Sequence, residues 1–421
     1  MVRRYFMLRI IENMRNELVR FTQEIIRIPS LTGDEGELSK IVLEKLKEIN
    51  IDDAFIDDIG NVIGIIRGED KGPNIMLNGH LDVVPSGDLE NWEGYDPFGA
   101  EIDEKGNIRG RGASDLKGGL SVQLYTMKLV NDLKNKGVTL PGDLIFSAVV
   151  HEEAAEMFGM EFLFKNTFRN RDIGCDIVFL CEPTNLNLML GHRGKVELVL
   201  TTKGKTSHSS RPHAGINSIQ KMVPILEKIF NEMGKDDYIH PVLGERCFAV
   251  TNIVSRPAGY SIIPDECEIS IDQRYFPHEH VDDMVTRYQK IIDELKMDDP
   301  ELKVSVKIRE IDEKSYTGYR KSVQKHLPPW ITPADDPFVQ KTVRALKRIG
   351  QEPVFDYWEG GTDGSMSKGI LGIPTIGYSA MELRYAHTAQ DRVNIDKMLL
   401  SFEGYYSIVC ELFGIEKPFR E

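Results

Sequence analysis

Three short, almost wholly apolar runs, Ile75-Met76-Leu77, Asp143 to Val150 and Asp176 to Leu180, are each followed at once by ionisable side chains. Strands of a parallel sheet look like this, because they are buried on both faces and show no polar alternation. Ligands of such sheets gather beyond the carboxyl ends of the strands. Here those ends carry Asn78-Gly79-His80-Leu81-Asp82, His151-Glu152-Glu153 and Cys181-Glu182-Pro183. In extended chain, residues two apart share a face, so His80 and Asp82 can lie side by side. An imidazole that ligates a metal through one nitrogen needs its other N–H held, and a carboxylate is a common holder.

The chain has 421 residues, too many for one ordinary core, and two or three domains are expected. A formal net charge of −14, with Lys and Arg scattered among Asp and Glu, argues against a nucleic-acid surface. Small ligands and metals suit it better. Five cysteines, an odd number without a C-x-x-C pair, indicate neither a disulfide framework nor a thiolate zinc site, and a reducing compartment fits. After Arg3 and Arg4 the apolar stretch is broken by Arg9 and Glu12, too short for a secretion signal or membrane span. A cytoplasmic location is expected.

Helical spacing of apolar residues predicts helices over 11–28 and 37–49. A third helix has the stripe Leu116, Leu120, Leu124 and Met127, with Ser114 or Asp115 as its expected cap. Strands are expected over 61–67 and 74–78, and the Gly- and Asp-rich 88–112 reads as a loop packed down by Trp92 and Phe98. From about Lys195 the texture becomes strand 195–202, helix 217–233, strands 247–254 and 266–274, helix 281–295 and strand 303–311. That β-α-β-β-α-β order is the order of a ferredoxin-like module. A helix over 336–349, a strand over 373–378 and a closing helix over 395–413 restore the α/β texture.

His80, Asp82, Asp115, Glu152, Glu153, Glu182 and, far downstream, His387 stand at strand or loop ends. One His per metal with carboxylates and no Cys suits a pair of Zn²⁺ or similar ions bridged by a shared carboxylate. Such ions stand about 3.5–4 Å apart and clamp a water and a carbonyl between them. A Glu left over beside a ligand Glu would serve as general base. Rival motifs fail: Ala155 occupies the second His position of H-E-x-x-H, and Val199 the first Gly of a P-loop ending Gly204-Lys205-Thr206. Gly110-Arg111-Gly112-Ala113-Ser114-Asp115 lacks the third Gly of a dinucleotide fingerprint.

The ordered set NGHLDVVP (78–85), GRGASDLKGG (110–119), HEEAAEMFG (151–159), CEPTN (181–185), GKTSHSSRPHAGINSI (204–219) and AHTAQDRVNI (386–395) resembles the co-catalytic zinc metallopeptidases. That family includes acetylornithine deacetylase, succinyl-diaminopimelate desuccinylase, aminoacylase and carboxypeptidase G. The resemblance implies an α/β fold: a mixed, mainly parallel sheet flanked by helices, with an inserted α+β ferredoxin-like lid and dimerisation domain. Residues 1–193 and 313–421 would form the catalytic domain, and 194–312 the insertion.

It further implies two Zn²⁺ per chain, with Co²⁺ or Mn²⁺ as substitutes. One ion would take His80, Glu182 and Asp115, the other Glu153, His387 and the same Asp115. Asp82 would orient His80, and Glu152 would be the general base for metal-bound hydroxide. His208 in the lid would stabilise the oxyanion in the partner subunit's site, and Arg274 would bind a substrate carboxylate. His213, His278 and His280 read as ordinary surface histidines. A cis peptide at Asp115-Leu116 is also implied.

The sequence departs from the family pattern at His151, usually Asp, and at Ser261-Ile262-Ile263-Pro264, which lacks an Asn before Ile-Pro. Gly377-Tyr378-Ser379-Ala380 replaces a more usual Gly-Pro-Gly. The expected reaction is hydrolysis of an amide bond next to a free carboxylate, in an N-acyl amino acid or short peptide. Hydrolysis of a carbamoyl or ureido C–N bond is the alternative, and a non-catalytic metal-binding homologue a remote one. No nucleic-acid or membrane partner is expected, and a homodimer is.

Overall fold

The computed structural model describes residues 2–154, 156–233 and 238–415, with side chains from Ile11 onward. Its larger sheet has nine strands. Across it run Asp53–Ile56, Val62–Ile66, Leu144–Val149, Ile75–His80, Ile177–Leu180, Thr375–Gly377, Leu188–His192 and Trp330–Ile331, with Phe355–Trp358 also paired to Leu188–His192. The four central strands, from Leu144–Val149 to Thr375–Gly377, are mutually parallel. Alternate residues feed two separate cores: Leu77, Phe146 and Phe179 enter one, Met76, Ile145 and Val178 the other. Burial on both faces explains why these runs read as continuously apolar.

Antiparallel pairing is confined to the margins. Between Asp53–Ile56 and Val62–Ile66 the chain turns too tightly for a parallel crossover. Asp57 Oδ1 holds that turn by accepting from the backbone N–H of Ile59, Gly60 and Asn61, and Gly60 takes φ +114 there. The strands at 53–56, 188–192, 330–331 and 355–358 are not foreseen from the sequence, since each is short and lacks a periodic signal.

Helices Gly36–Glu48, Gly118–Asn135, Pro337–Arg348 and Ile395–Leu412 stand close to where they are expected, whereas the helix expected over 11–28 runs Val2–Ile26, beginning nine residues earlier. The cap of helix Gly118–Asn135 is corrected. Asp115 (φ −133, ψ 91) and Leu116 (φ −138, ψ 27) are non-helical, so regular helix begins only at Gly118. Ser114 Oγ donates instead to the carbonyl of Glu382.

A second, antiparallel sheet follows Gly194. In space its strands run Phe248–Arg256, Glu266–Tyr275, Gly194–Lys203 and Lys303–Ile308, the second, third, first and fourth of the series, with His326–Leu327 added to Gly194–Lys203. Helices Ser218–Met233 and Val281–Asp298 cover it, and Leu198, Ile225, Ile269, Met284 and Ile292 share a core separate from the other two. The strand expected over 303–311 stops at Ile308. Glu310–Lys314 leaves the sheet to pair with Arg320–Gln324. Arg309, between them, is held by Glu197, Glu268 and Ser270.

Where helix Gly118–Asn135 meets the sheet, a Cβ on Gly119 would stand 2.8 Å from the carbonyl oxygen of Cys181. Gly119→Ala sets a helix-propensity gain of about 1 kcal/mol against overpacking of roughly 1–3 kcal/mol. The backbone contact cannot move aside, so the upper part of that cost applies and a net loss of up to about 2 kcal/mol is expected in urea unfolding.

Candidate active site

Each central strand delivers a polar residue at its carboxyl end: His80, the pair Glu152-Glu153, Glu182, and the loop after Thr375–Gly377 that reaches His387. Asp115 arrives from the turn before helix Gly118–Asn135. Its carboxylate meets two imidazoles: His80 Nε2 lies 3.3 Å from Oδ1 and His387 Nε2 lies 3.1 Å from Oδ2. Glu182 Oε1 is 3.7 Å from His80 Nε2, and Glu153 Oε2 is 3.0 Å from His387 Nε2. His80, Asp115 and Glu153 form one cluster with metal-ligand spacing, and His80, Glu152 and Glu182 another. The Asp115-Leu116 peptide is cis, as the resemblance implies.

Donor atoms bound to one tetrahedral Zn²⁺ stand about 3.4 Å apart, given bonds of about 2.0–2.2 Å. The approaches on His80 and His387 have this scale, and the imidazole and carboxylate donors suit zinc and its neighbours. The residues present therefore fit a pair of divalent ions.

Charge points the same way. Burial disfavours a charged His80, yet its hydrogen bond to Asp115 and the charges of Glu182, Glu152 and Asp82 outweigh this and raise its pKa well above the usual value. Hydrogen bonds to Asp115 and Glu153 push His387 up to about 10. Burial and the charge of Asp115 hold Glu182 well above the ordinary carboxyl range, and burial with the charge of Glu182 does the same to Glu152. Asp115 moves the other way, since the two imidazoles overcome its burial. Such a crowd of buried carboxyls calls for cations.

Asp82 holds the site differently from expectation. His80 Nδ1 is 2.8 Å from the Asp82 backbone carbonyl, while the Asp82 carboxylate is 3.6 Å away. The carboxylate instead accepts from the backbone N–H of Glu152 and Glu153, both at 3.0 Å, and from Thr32 Oγ1 at 2.8 Å. One residue thus orients both an imidazole and the turn bearing two glutamates.

His208 and Arg274 stand on the second sheet unit. His208 is exposed, with Nδ1 against Ser210 Oγ at 2.8 Å. Arg274 is bound by Asp272 at 2.9 Å and points Nη1 at the carbonyl of Glu359, 3.5 Å away. In the sequence Asp363 is marked only as part of Gly360-Gly361-Thr362-Asp363, a stretch expected where substrate side chains are sorted; in the structure it is a buried carboxyl pushed up to about 7 by burial, with no hydrogen-bond partner at Oδ1 among the described residues. Sequence reasoning did not single out Thr32 or Asp391. Nothing local marks Thr32, and Asp391, although inside the motif at 386–395, shows its role only through contacts with residues 111–114, far away in sequence.

Fold and site together define a metal-dependent hydrolase of amide bonds. Residues 76–411 match the model of peptidase family M20/M25/M40, and the chain belongs to that family. It is 29% identical over 384 residues to the uncharacterized protein YgeY of Escherichia coli (strain K12), covering 89% of each chain. To a succinyl-diaminopimelate desuccinylase of Pseudomonas syringae pv. syringae (strain B728a) it is 27% identical over 285 residues, 65% of this chain and 72% of that one. The fold matches Bacillus subtilis YXEP, described as a dinuclear metal-binding peptidase, with a TM-score of 0.69 at 16% identity, covering 94% of this chain and 98% of that one.

Asp82→Ala would strip two backbone N–H groups and one hydroxyl of their acceptor. At about 1 kcal/mol, the lower end of the range, for each of three part-buried donors left unsatisfied, unfolding should show a loss of about 3 kcal/mol. Thr32→Val, which removes one donor, should cost about 1 kcal/mol in the same urea titration.

Proposed function

We propose that this chain is a dinuclear zinc hydrolase that cleaves an amide bond next to a free carboxylate, in N-acyl amino acids or short peptides. The observation that carries this reading is the sharing of Asp115 by His80 and His387, one imidazole on each carboxylate oxygen. His80, Glu182 and Asp115 would hold one ion, Glu153, His387 and Asp115 the other, with Co²⁺ or Mn²⁺ as substitutes. The dinuclear peptidase and the desuccinylase among its relatives support this. Bound there, the ions supply Lewis acidity that polarises the scissile carbonyl and lets water attack near neutral pH.

The chain's own groups do the rest. Glu152, beside the ligand Glu153, takes a proton from the attacking water and passes it to the leaving nitrogen. Asp82 keeps His80 oriented through its carbonyl and Glu152 through its carboxylate. Arg274 offers a guanidinium for the substrate carboxylate, as planar paired donors can. Glu152→Ala should retain two metals by elemental analysis and lose at least about 10²-fold in turnover. Assayed on N-acyl amino acids, dipeptides and carbamoyl amino acids, the zinc-loaded enzyme should turn over one of the first two classes. Turnover of carbamoyl substrates alone would move the assignment to ureido hydrolysis, and two metals with no turnover would favour a binding role.

Residues 194–312 are read as a lid and dimerisation domain of a catalytic domain formed by 1–193 and 313–421. Strand Phe248–Arg256 lies at the open edge of its sheet. On it Ile253, and on the adjoining helix Ser218–Met233 Val223 and Phe230, are each more than half exposed, at 54%, 54% and 56%. An open strand edge flanked by apolar side chains is a pairing surface, and pairing there would let His208 serve the oxyanion of the other subunit's site. Ile253→Arg should convert a dimer to monomers in sedimentation, keep the metal content and reduce turnover. A monomeric wild type would refute the arrangement. Five free cysteines support a reducing, cytoplasmic setting, and among the described residues no helix is long and apolar enough to cross a membrane.

A further inference from the structure

The segments that carry Asp115 and His387 are fastened to each other at several points besides the contact between those two side chains. Strand Arg392–Asn394 pairs with Asn107–Arg109. The backbone N–H of Gly110 donates to the Asp391 carbonyl at 3.0 Å. Ser114 Oγ and the backbone of Glu382 are joined by bonds of 2.9 and 3.1 Å.

At the centre of these contacts is the Asp391 carboxylate, fully buried. Oδ1 accepts from the backbone N–H of Ser114 at 2.8 Å, and Oδ2 from that of Gly112 at 2.7 Å. Arg111 Nη1 donates to the same Oδ2 at 3.1 Å and to the carbonyl of Thr388, also at 3.1 Å. Arg111 is itself buried, its guanidinium over the Trp92 ring at 5.3 Å. One carboxylate and one guanidinium therefore grip the turn just before Asp115 and the residue just after His387. Gly112 sits in this grip at φ +87, a backbone that favours glycine, where a Cβ would also meet Val83 at 2.7 Å.

We infer that Asp391, with Arg111, is a positioning clasp that sets the approach of His387 to Asp115 and so governs one metal position of the pair, the one formed by Glu153, His387 and Asp115. The other position should depend on it far less. It shares Asp115, but its other two ligands, His80 and Glu182, are presented by the ends of two neighbouring parallel strands and lie outside the clasp, whereas His387 is tied to it through Thr388. Asp391 touches no substrate in this scheme. A buried ion pair serving stability alone would loosen the fold without separating the two positions.

This inference rests on the two-metal reading, and the test keeps the two apart. The full-length protein and its Asp391→Asn, Asp391→Ala and Arg111→Lys variants are stripped of metal and titrated with Co²⁺. The two binding steps are followed by calorimetry and visible absorption, with thermal unfolding of each apo-protein as the control. Wild type should bind two ions. The variants should bind one ion as wild type does and the second about 10–100-fold more weakly, the usual cost of losing a group that orients a ligand. Arg111→Lys should show the smaller effect and decides the matter if neither Asp391 variant folds. Two wild-type affinities in every folded variant would overturn the clasp, and so would equal weakening of both steps. A wild-type protein that binds fewer than two ions would instead overturn the dinuclear reading.

Discussion

A carboxylate shared by two imidazoles, one on each oxygen, is held only if three chain segments far apart in sequence are fixed against one another. Asp115 meets His80, 35 residues before it, on one side and His387 on the other. Both contacts depend on the non-helical turn before Gly118, which aims the Asp115 carboxylate away from the helix that follows. Most of the remaining architecture bears on that arrangement. Parallel strands set His80 and Glu182 side by side, Asp82 steers Glu152 and Glu153, and the Asp391–Arg111 pair ties the two loops together.

The parallel centre of the sheet is what makes such convergence possible. Adjacent parallel strands end at the same edge, so residues following each of them meet without any local signal linking them. The cost is electrostatic. Asp115, Glu152, Glu153, Glu182 and Asp363 stand together in a chain already at −14, and burial with mutual repulsion raises the pKa of four of the five. Asp82 is fully buried beside them, and its carboxylate accepts three hydrogen bonds, from Thr32 and from the backbone of Glu152 and Glu153. A site of this kind carries its cation requirement in its own charge balance.

Local chemistry that leaves a mark on composition or periodicity was legible. Leu77, Phe146 and Phe179 announced strands because both faces of each strand needed apolar side chains, and His80, Glu152, Glu153 and Glu182 announced a site because they break those runs at one end. Helix spans followed from apolar spacing, and the β-α-β-β-α-β series from alternation of texture. Strands with no such mark, such as Phe355–Trp358, were invisible, since pairing with Leu188–His192 and not their own sequence makes them strands.

By itself the sequence determined the strand cores, the ordered motif set and hence the family, because these rest on residue type and spacing along the chain. Tertiary structure alone decided that the Asp82 carbonyl and not its carboxylate holds His80, that the helix begins at Gly118 and not beside Ser114, and that Asp391 grips the Gly112 turn. Each of these is a choice among acceptors or donors equally available in the sequence. Distance in the folded chain makes that choice, and distance is set by the packing of segments from 50 to 279 residues apart.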